Sequence, residues 1–266
     1  MYRKRIIDLL IDLKAEAFNG INLIGPKGSG KTTTAEQRCK SVFKFQNEDV
    51  RDNLLKIVDT KPSALLSNPK PILFDEWQDA PKIWGAVRQD SDDNPSDFGS
   101  YYLTGSSSSN VKTPHTGTMR ITKVKMLPMS LFETGESNGA VGLRSLFETP
   151  YSFSSCSSSL SFEQMVFALC RGGWPRILSI KNPRASLLVA KDLYEQTYEE
   201  DISKIDGVKR NPSWAKSILK SYARNICTLA DTKTIFTDSS ENSGISERSF
   251  YEYFGALERL YIIDDI

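Results

Sequence analysis

An α/β fold, with a parallel sheet flanked by helices and then a small helical, winged-helix-like module, is predicted for this 266-residue chain by three observations. First, the apolar run 21–24 leads into Gly25-Pro-Lys-Gly-Ser-Gly-Lys-Thr32, with the Gly, any four residues, Gly-Lys-Ser/Thr spacing of a phosphate-binding loop set between a strand and a helix. Second, further apolar runs at 72–74, 100–103 and 121–126 alternate with segments of helical spacing, as in a parallel sheet with right-handed crossovers. Third, the pattern changes from residue 205. Trp214, Ile218, Tyr222 and Ile226 recur at steps of four, and Gly244-Ile-Ser246 can cap a second helix over 247–259, ahead of a short apolar strand at 260–263.

Taken in order, Ile6, Leu9, Leu10 and Leu13 share helical spacing and predict an amphipathic opening helix packed on the sheet and ending near Asn19-Gly20. Residues 33–40, free of Gly and Pro, continue the phosphate loop as a helix, and 41–45 form a second strand with Phe43 and Phe45 alternating around Lys44. Pro62 divides 53–66 into short helices. Residues 89–99, with four aspartates, are a polar loop or helix end. From 136 to 161 the composition shifts to Gly and Ser, culminating in Ser152-Phe-Ser-Ser-Cys-Ser-Ser-Ser159, a linker near a domain boundary. Helices follow over 162–170 and 185–201, separated by the sharp turn Arg171-Gly-Gly-Trp-Pro175. The predicted organisation is a phosphate-loop domain over 1–150, a linker and helical segment over 151–204, and the winged-helix-like module over 205–266.

Hydrophobic residues at 39% and charged residues at 25% are the balance of an ordinary soluble protein. A net charge of +1 provides no general attraction to nucleic acid or an anionic membrane, so any such contact must be local. No stretch reaches the roughly 18 uninterrupted apolar residues of a membrane span. Cys39, Cys156, Cys170 and Cys227 show no Cys-x-x-Cys spacing, which suggests neither zinc nor a disulfide framework and fits a reducing cytoplasm. His115 is the only histidine, so His-rich metal sites are excluded.

The residue types of the loop follow from the chemistry of holding phosphate. Glycines at 25, 28 and 30 let the segment Gly25, Pro26, Lys27, Gly28, Ser29, Gly30 turn successive N–H groups toward a bound anion. Lys31 would reach the β- and γ-phosphates, the Thr32 hydroxyl would hold Mg²⁺, and Thr33 lies in the helix turn whose N-terminus favours negative charge. In Pro71-Ile-Leu-Phe-Asp-Glu-Trp-Gln78 a central strand ends in two carboxylates at its C-terminal edge, where open α/β sheets bind ligands. Asp75 is placed to complete the Mg²⁺ shell and Glu76 to orient and polarise the attacking water; alone, such a pair could also be a solvated strand end. Ser106, just after the strand at 100–103, can touch the γ-phosphate or the water, or belong to a Ser-rich turn. On the helix 247–259, Glu247, Glu252 and Glu258 outnumber Arg248 and Arg259, which speaks for protein contact or packing over DNA, since phosphate contact needs a basic surface.

These stretches, with Ala80-Pro-Lys-Ile-Trp84, Leu103-Thr-Gly-Ser-Ser107, residues 115–120, Met129-Ser-Leu-Phe-Glu133, Gly173-Trp-Pro175, Tyr198-Glu-Glu-Asp201 and residues 244–260, resemble the prokaryotic AAA-type ATPases that carry a C-terminal domain of uncharacterised function. The resemblance implies an AAA-type fold in which Lys31 and Thr32 bind ATP-Mg, Asp75 and Glu76 are the metal and water carboxylates, Ser106 is sensor-like and Arg120 faces a phosphate. Family members usually continue into a nuclease-like α/β domain, whereas this chain stops at Ile266, which implies a shortened gene or a fragment. They also often have Gly where Met119 precedes Arg120.

The expected activity is Mg²⁺-dependent ATP hydrolysis coupled to a conformational change of the C-terminal module. The alternative is an ATP-gated switch or adaptor with little turnover that controls contact with a protein or DNA; the presence of Glu76 favours hydrolysis. A small-molecule kinase would share the loop, but no acceptor pocket is evident. A homo-oligomer, with Arg120 acting across a subunit boundary as in related ATPases, is compatible with the sequence.

Overall fold

Apolar runs become strands and the segments between them become helices. The computed structural model describes residues 2–105, 117–149 and 156–264. Helix α1 (Ile7–Ala15) precedes β1 (Gly20–Ile24), α2 (Lys31–Glu36), β2 (Ser41–Lys44), α3 (Glu48–Thr60), α4 (Ser63–Leu66), β3 (Ile72–Asp75), α5 (Lys82–Asp93), β4 (Tyr101–Gly105) and β5 (Ile121–Lys125). The five strands are all parallel, in the order β2-β3-β4-β1-β5. Alternation along each strand loads both faces of the sheet. Ile72, Phe74, Tyr101, Leu103 and Ile121 join Ile83, Trp84 and Val87 of α5 on one face, and Leu23, Leu73, Tyr102 and Val124 join Ile11 and Ala35 on the other. Because the strands are parallel, the turns that leave β1, β3 and β4 gather at a single sheet edge.

The face that α1 buries differs from the one expected. Ile6, Leu9 and Leu13 are 55%, 68% and 63% exposed, while Ile11 and Asp8 are buried and Ile7 and Ala15 pack beside them. Asp8 can be buried because its carboxylate is fully engaged, by the Tyr2 hydroxyl at 2.8 Å, Arg5 N at 2.7 Å and Arg38 Nη2 at 3.1 Å. Helix α2 is shorter than expected. The chain turns after Glu36 so that Lys40 N can reach Pro71 O at 2.8 Å and lead into β2.

After β5 come α6 (Leu131–Thr134), α7 (Leu143–Glu148), α8 (Phe162–Arg171), α9 (Pro175–Leu178), α10 (Pro183–Gln196), α11 (Ile202–Lys204), α12 (Pro212–Asn225), α13 (Thr232–Ser243) and α14 (Glu247–Arg259). Helix α7 lies within the segment expected as linker. A second core gathers Ile218 and Leu219 of α12, Ile235 of α13 and Phe250, Phe254 and Leu257 of α14, and draws in Tyr198 and Ile202 from the segment before residue 205. Helix α14 has the expected bounds, with the Ser246 hydroxyl accepting from Ser249 N. Helix α13 was not foreseen: it buries only Ile235 and Ser239, so its sequence carries almost no apolar stripe. The strand expected at 260–263 is a turn, closed by Ile262 N donating to Leu257 O at 3.1 Å, with Ile263 tucked into the core. Among the described residues no strand follows Lys125, so the helices stand there without a wing. No helix is long and apolar enough to cross a membrane among the described residues.

Candidate functional site

The turn leaving β1 is held by contacts that only glycine permits. At Gly25 φ is 143°, and a Cβ there would lie 2.2 Å from Met126 O; Gly28 and Gly30 have φ of 79° and 99°. Lys31, the first residue of α2, is 5% exposed and donates Nζ to Gly25 O and Pro26 O, both at 2.9 Å. Burial pushes its pKa down to about 8, against the opposing pull of the Glu76 and Asp75 charges. A phosphate beside it would therefore favour the charged form. The Ser29 hydroxyl is fully buried with no hydrogen-bond partner among the described residues, an orphan that an anion in the loop would satisfy.

Strand β3 brings the first carboxylate to the same edge. Register sets Asp75 opposite Thr104 of β4, whose hydroxyl donates to Asp75 Oδ1 at 2.6 Å, and the Thr32 hydroxyl donates to the same oxygen at 2.6 Å. Glu76 N donates to the Thr104 hydroxyl at 3.2 Å. Glu76 itself has φ 55° and ψ 50°, a left-handed conformation that is unusual without glycine and that recurs where function demands it. Gln78 Nε2 donates to Glu76 Oε2. A cleft of about 470 Å³ opens here, lined by Lys27, Glu76, Gln78, Trp174, Thr197 and Asp201 among others. On the far side of the loop a pocket of about 190 Å³ is lined by Tyr2, Arg3, Gly30, Thr33, Pro175 and Leu178, among others.

The donor set fits Mg²⁺ held together with phosphate. Thr32 and Asp75 offer hard oxygens, and Mg²⁺ commonly takes one or two protein oxygens plus phosphate oxygens and water. Among the described residues no group of three or more His, Cys, Asp and Glu forms an all-protein metal site.

The structure thus brings Lys31, Thr32, Asp75 and Glu76 to the loop Gly25, Pro26, Lys27, Gly28, Ser29, Gly30, with Thr33 exposed at its rim. Ser106 lies outside the described residues. Arg120 lies away from its own chain's loop. It precedes β5 at the N-terminal edge of the sheet, accepting from Gly20 N through its carbonyl, and its Nε binds Asp92 Oδ1 at 2.6 Å. The five residues of β5 separate it from the loop edge, roughly 16 Å at about 3.3 Å per residue. Thr104 was missed. Its signal was available: a polar residue closing an otherwise apolar strand, next in the sheet to the strand bearing Asp75.

The C-terminal segment also touches the loop. A Cβ on Gly28 would lie 3.8 Å from Trp174 Cε3, one on Gly30 would lie 3.5 Å from Pro175 Cγ, and Lys27 Nζ is 4.0 Å from Asp201 Oδ1.

Residues 18–135 match the family model of an AAA domain. That segment is similar to AAA domains, and its all-parallel five-stranded sheet with the glycine-rich loop after β1 fits a P-loop NTPase fold. Residues 162–266 match a domain of unknown function, DUF8612. No curated protein matches the chain. Among solved structures, AMPPCP-bound DnaA from Aquifex aeolicus is 12% identical over 97% of this chain and 93% of that one; its TM-score of 0.37 is too low to carry any argument.

Proposed function

We propose that the AAA domain binds ATP with Mg²⁺ and hydrolyses it, and that the helical C-terminal part responds to what the loop holds. The observation that carries this reading is the meeting of Thr32, Thr104 and Asp75 around one carboxylate oxygen, with Lys31 and Glu76 on either side. In this reading Lys31 pairs with the β- and γ-phosphates, and the glycine-shaped loop supplies backbone donors. Thr32 and Asp75 hold Mg²⁺, which when bound draws charge from the phosphate oxygens. Glu76 orients and polarises water, and the single hydroxyl of Thr104 fixes the Asp75 carboxylate and the Glu76 backbone together. Thr33 leads to the pocket beside Tyr2 and Pro175, which has room for part of the nucleoside. Trp174, Pro175 and Asp201 abut the loop and provide the route by which its occupancy reaches the C-terminal helices.

The test is phosphate release by the purified chain beside Glu76→Gln. Hydrolysis predicts that Glu76→Gln still binds ATP-Mg but releases phosphate at least about 100-fold more slowly, the low end for a positioned base. An equally active variant would overturn the role of Glu76. One observation favours the second reading, an ATP-gated switch or adaptor with little turnover: Gln78 already occupies an oxygen of Glu76. That reading predicts tight ATP binding with negligible phosphate release by the wild-type chain. Contact with a protein, with DNA or with a second copy through the C-terminal part remains a proposal of the same kind, tested by whether any of them changes the release rate.

A further inference from the structure

The phosphate loop is held from behind by a residue far outside its motif. Arg5 is 5% exposed, and its guanidinium binds three separate segments: Nη1 donates to Ser29 O at 2.9 Å, Nη2 to Leu127 O at 2.8 Å and Nε to Glu133 Oε1 at 2.9 Å. Glu133 is equally committed. It accepts from Ile6 N at 2.8 Å, from Ser130 N at 2.8 Å and from the Ser130 hydroxyl at 3.1 Å. The guanidinium also lies against the loop backbone, since a Cβ on Gly30 would come within 3.7 Å of Nη1.

Peptide geometry turns this contact into a statement about the anion cradle. The Ser29–Gly30 peptide is trans, so its C=O and N–H point in opposite directions. Anchoring Ser29 O on Arg5 therefore fixes the direction of Gly30 N–H, which points away from the Arg5 guanidinium, in the same loop whose Gly25 O and Pro26 O hold Lys31 Nζ. A lysine could not do the same, because one ammonium cannot reproduce a planar fork that reaches three fixed acceptors.

We propose that Arg5, set in place by Glu133, is a positioning residue that preshapes the phosphate loop for a di- or triphosphate. This rests on the nucleotide reading above, so the experiment separates the two. ATP-Mg and, independently, pyrophosphate-Mg are titrated into the wild-type chain, Arg5→Lys and Glu133→Gln, each checked for folding by circular dichroism. If Arg5 shapes the cradle, Arg5→Lys binds both probes about 10-fold more weakly, the worth of roughly one charge-assisted hydrogen bond, and Glu133→Gln shows a smaller loss in the same ratio for both. A folded Arg5→Lys with wild-type affinity overturns the proposal. So does one that weakens ATP but spares pyrophosphate, since Arg5 also lines the pocket beside Tyr2 and Pro175 and would then act on the nucleoside and not on the phosphate cradle. Should the variants not fold, hydrogen exchange on the wild-type chain decides: pyrophosphate-Mg must slow exchange at residues 2–8 together with 25–34, and unchanged exchange at 2–8 overturns the coupling. A wild-type chain that binds neither probe overturns the nucleotide reading itself, and this proposal with it.

Discussion

Asp75 and Asp206 show how differently the two halves of the molecule use a carboxylate. Asp206, between α11 and α12, is closed off by cations: Arg210 grips both oxygens at 2.7 and 2.8 Å and Arg259, at the end of α14, adds a third bond at 2.6 Å. Asp75, at the sheet edge, takes 2.6 Å bonds from the hydroxyls of Thr32 and Thr104, which are neutral. The first arrangement cancels the charge within the protein and ties helices together; the second holds the carboxylate in place while leaving its charge to be met by a cation from outside. Charge cancelled internally marks a structural carboxylate, and charge solvated by hydroxyls marks one that can serve a ligand.

Four changes break or sharpen this contrast. Lys31→Ala should act on the sheet edge alone, weakening ATP-Mg binding at least about 100-fold by removing two charge-assisted contacts to phosphate, with unfolding of the C-terminal core unmoved. Unchanged affinity in a direct titration would remove the loop from nucleotide binding.

Asp206→Asn should do the reverse. It leaves Arg210, 5% exposed, without its counter-charge, and should cost about 3 kcal/mol in denaturant unfolding while ATP affinity stays within about twofold. The bond from Arg210, opposed in part by burial and helped by Arg259, holds the Asp206 carboxyl well below the usual carboxylate range. A depressed folded-state pKa contributes stability that is present above the unfolded value of about 3.9 and lost as pH falls below it, so the wild-type C-terminal core should weaken below about pH 4. Asp206→Asn should flatten that part of the acid slope, and equal slopes would deny Asp206 its structural role.

Thr104→Val keeps the shape of β4 but removes the hydroxyl shared by Asp75 and Glu76. Phosphate release should fall about 10-fold, as expected for one lost hydrogen bond in the site, and Thr104→Ser should restore most of it. A Val variant as fast as wild type would make Thr104 a packing residue. The smallest effect is expected from Arg120→Ala, which should leave ATP affinity within about twofold because the side chain sits at the opposite sheet edge with Asp92. Should Arg120→Ala nevertheless lose turnover, mixing it with inactive Glu76→Gln would restore activity only if Arg120 serves a neighbouring subunit.

What was legible in the sequence was local. The loop at 25–32 and the strand ending at Asp75-Glu76 are contiguous patterns, and Ser246 ahead of a Gly- and Pro-poor amphipathic stretch announced α14 within its true bounds. What escaped required knowing neighbours. For α1 two stripes were available, and Ile6, Leu9, Leu10 and Leu13 made the more apolar one. The chain buries the stripe with Asp8 instead, because Tyr2, Arg5 and Arg38 converge on that carboxylate. The polar Thr104 was visible, but its partner was fixed only by the pairing of β4 with β3, and the apolar residues at 260–263 became a turn because no strand among the described residues lies beside them to pair with.

By itself, the sequence determined the alternation of strand and helix and the loop with its glycines, lysine and threonine, because these depend on backbone permissiveness and apolar period within a few residues. Only the tertiary structure decided which carboxylates share hydroxyls and which are sealed by arginine, that Arg120 stands at the far edge, and that Arg5 reaches Ser29 from 24 positions away. Hydrogen bonds and ion pairs act over about 3 Å, and only folding decides which distant residues come within that reach.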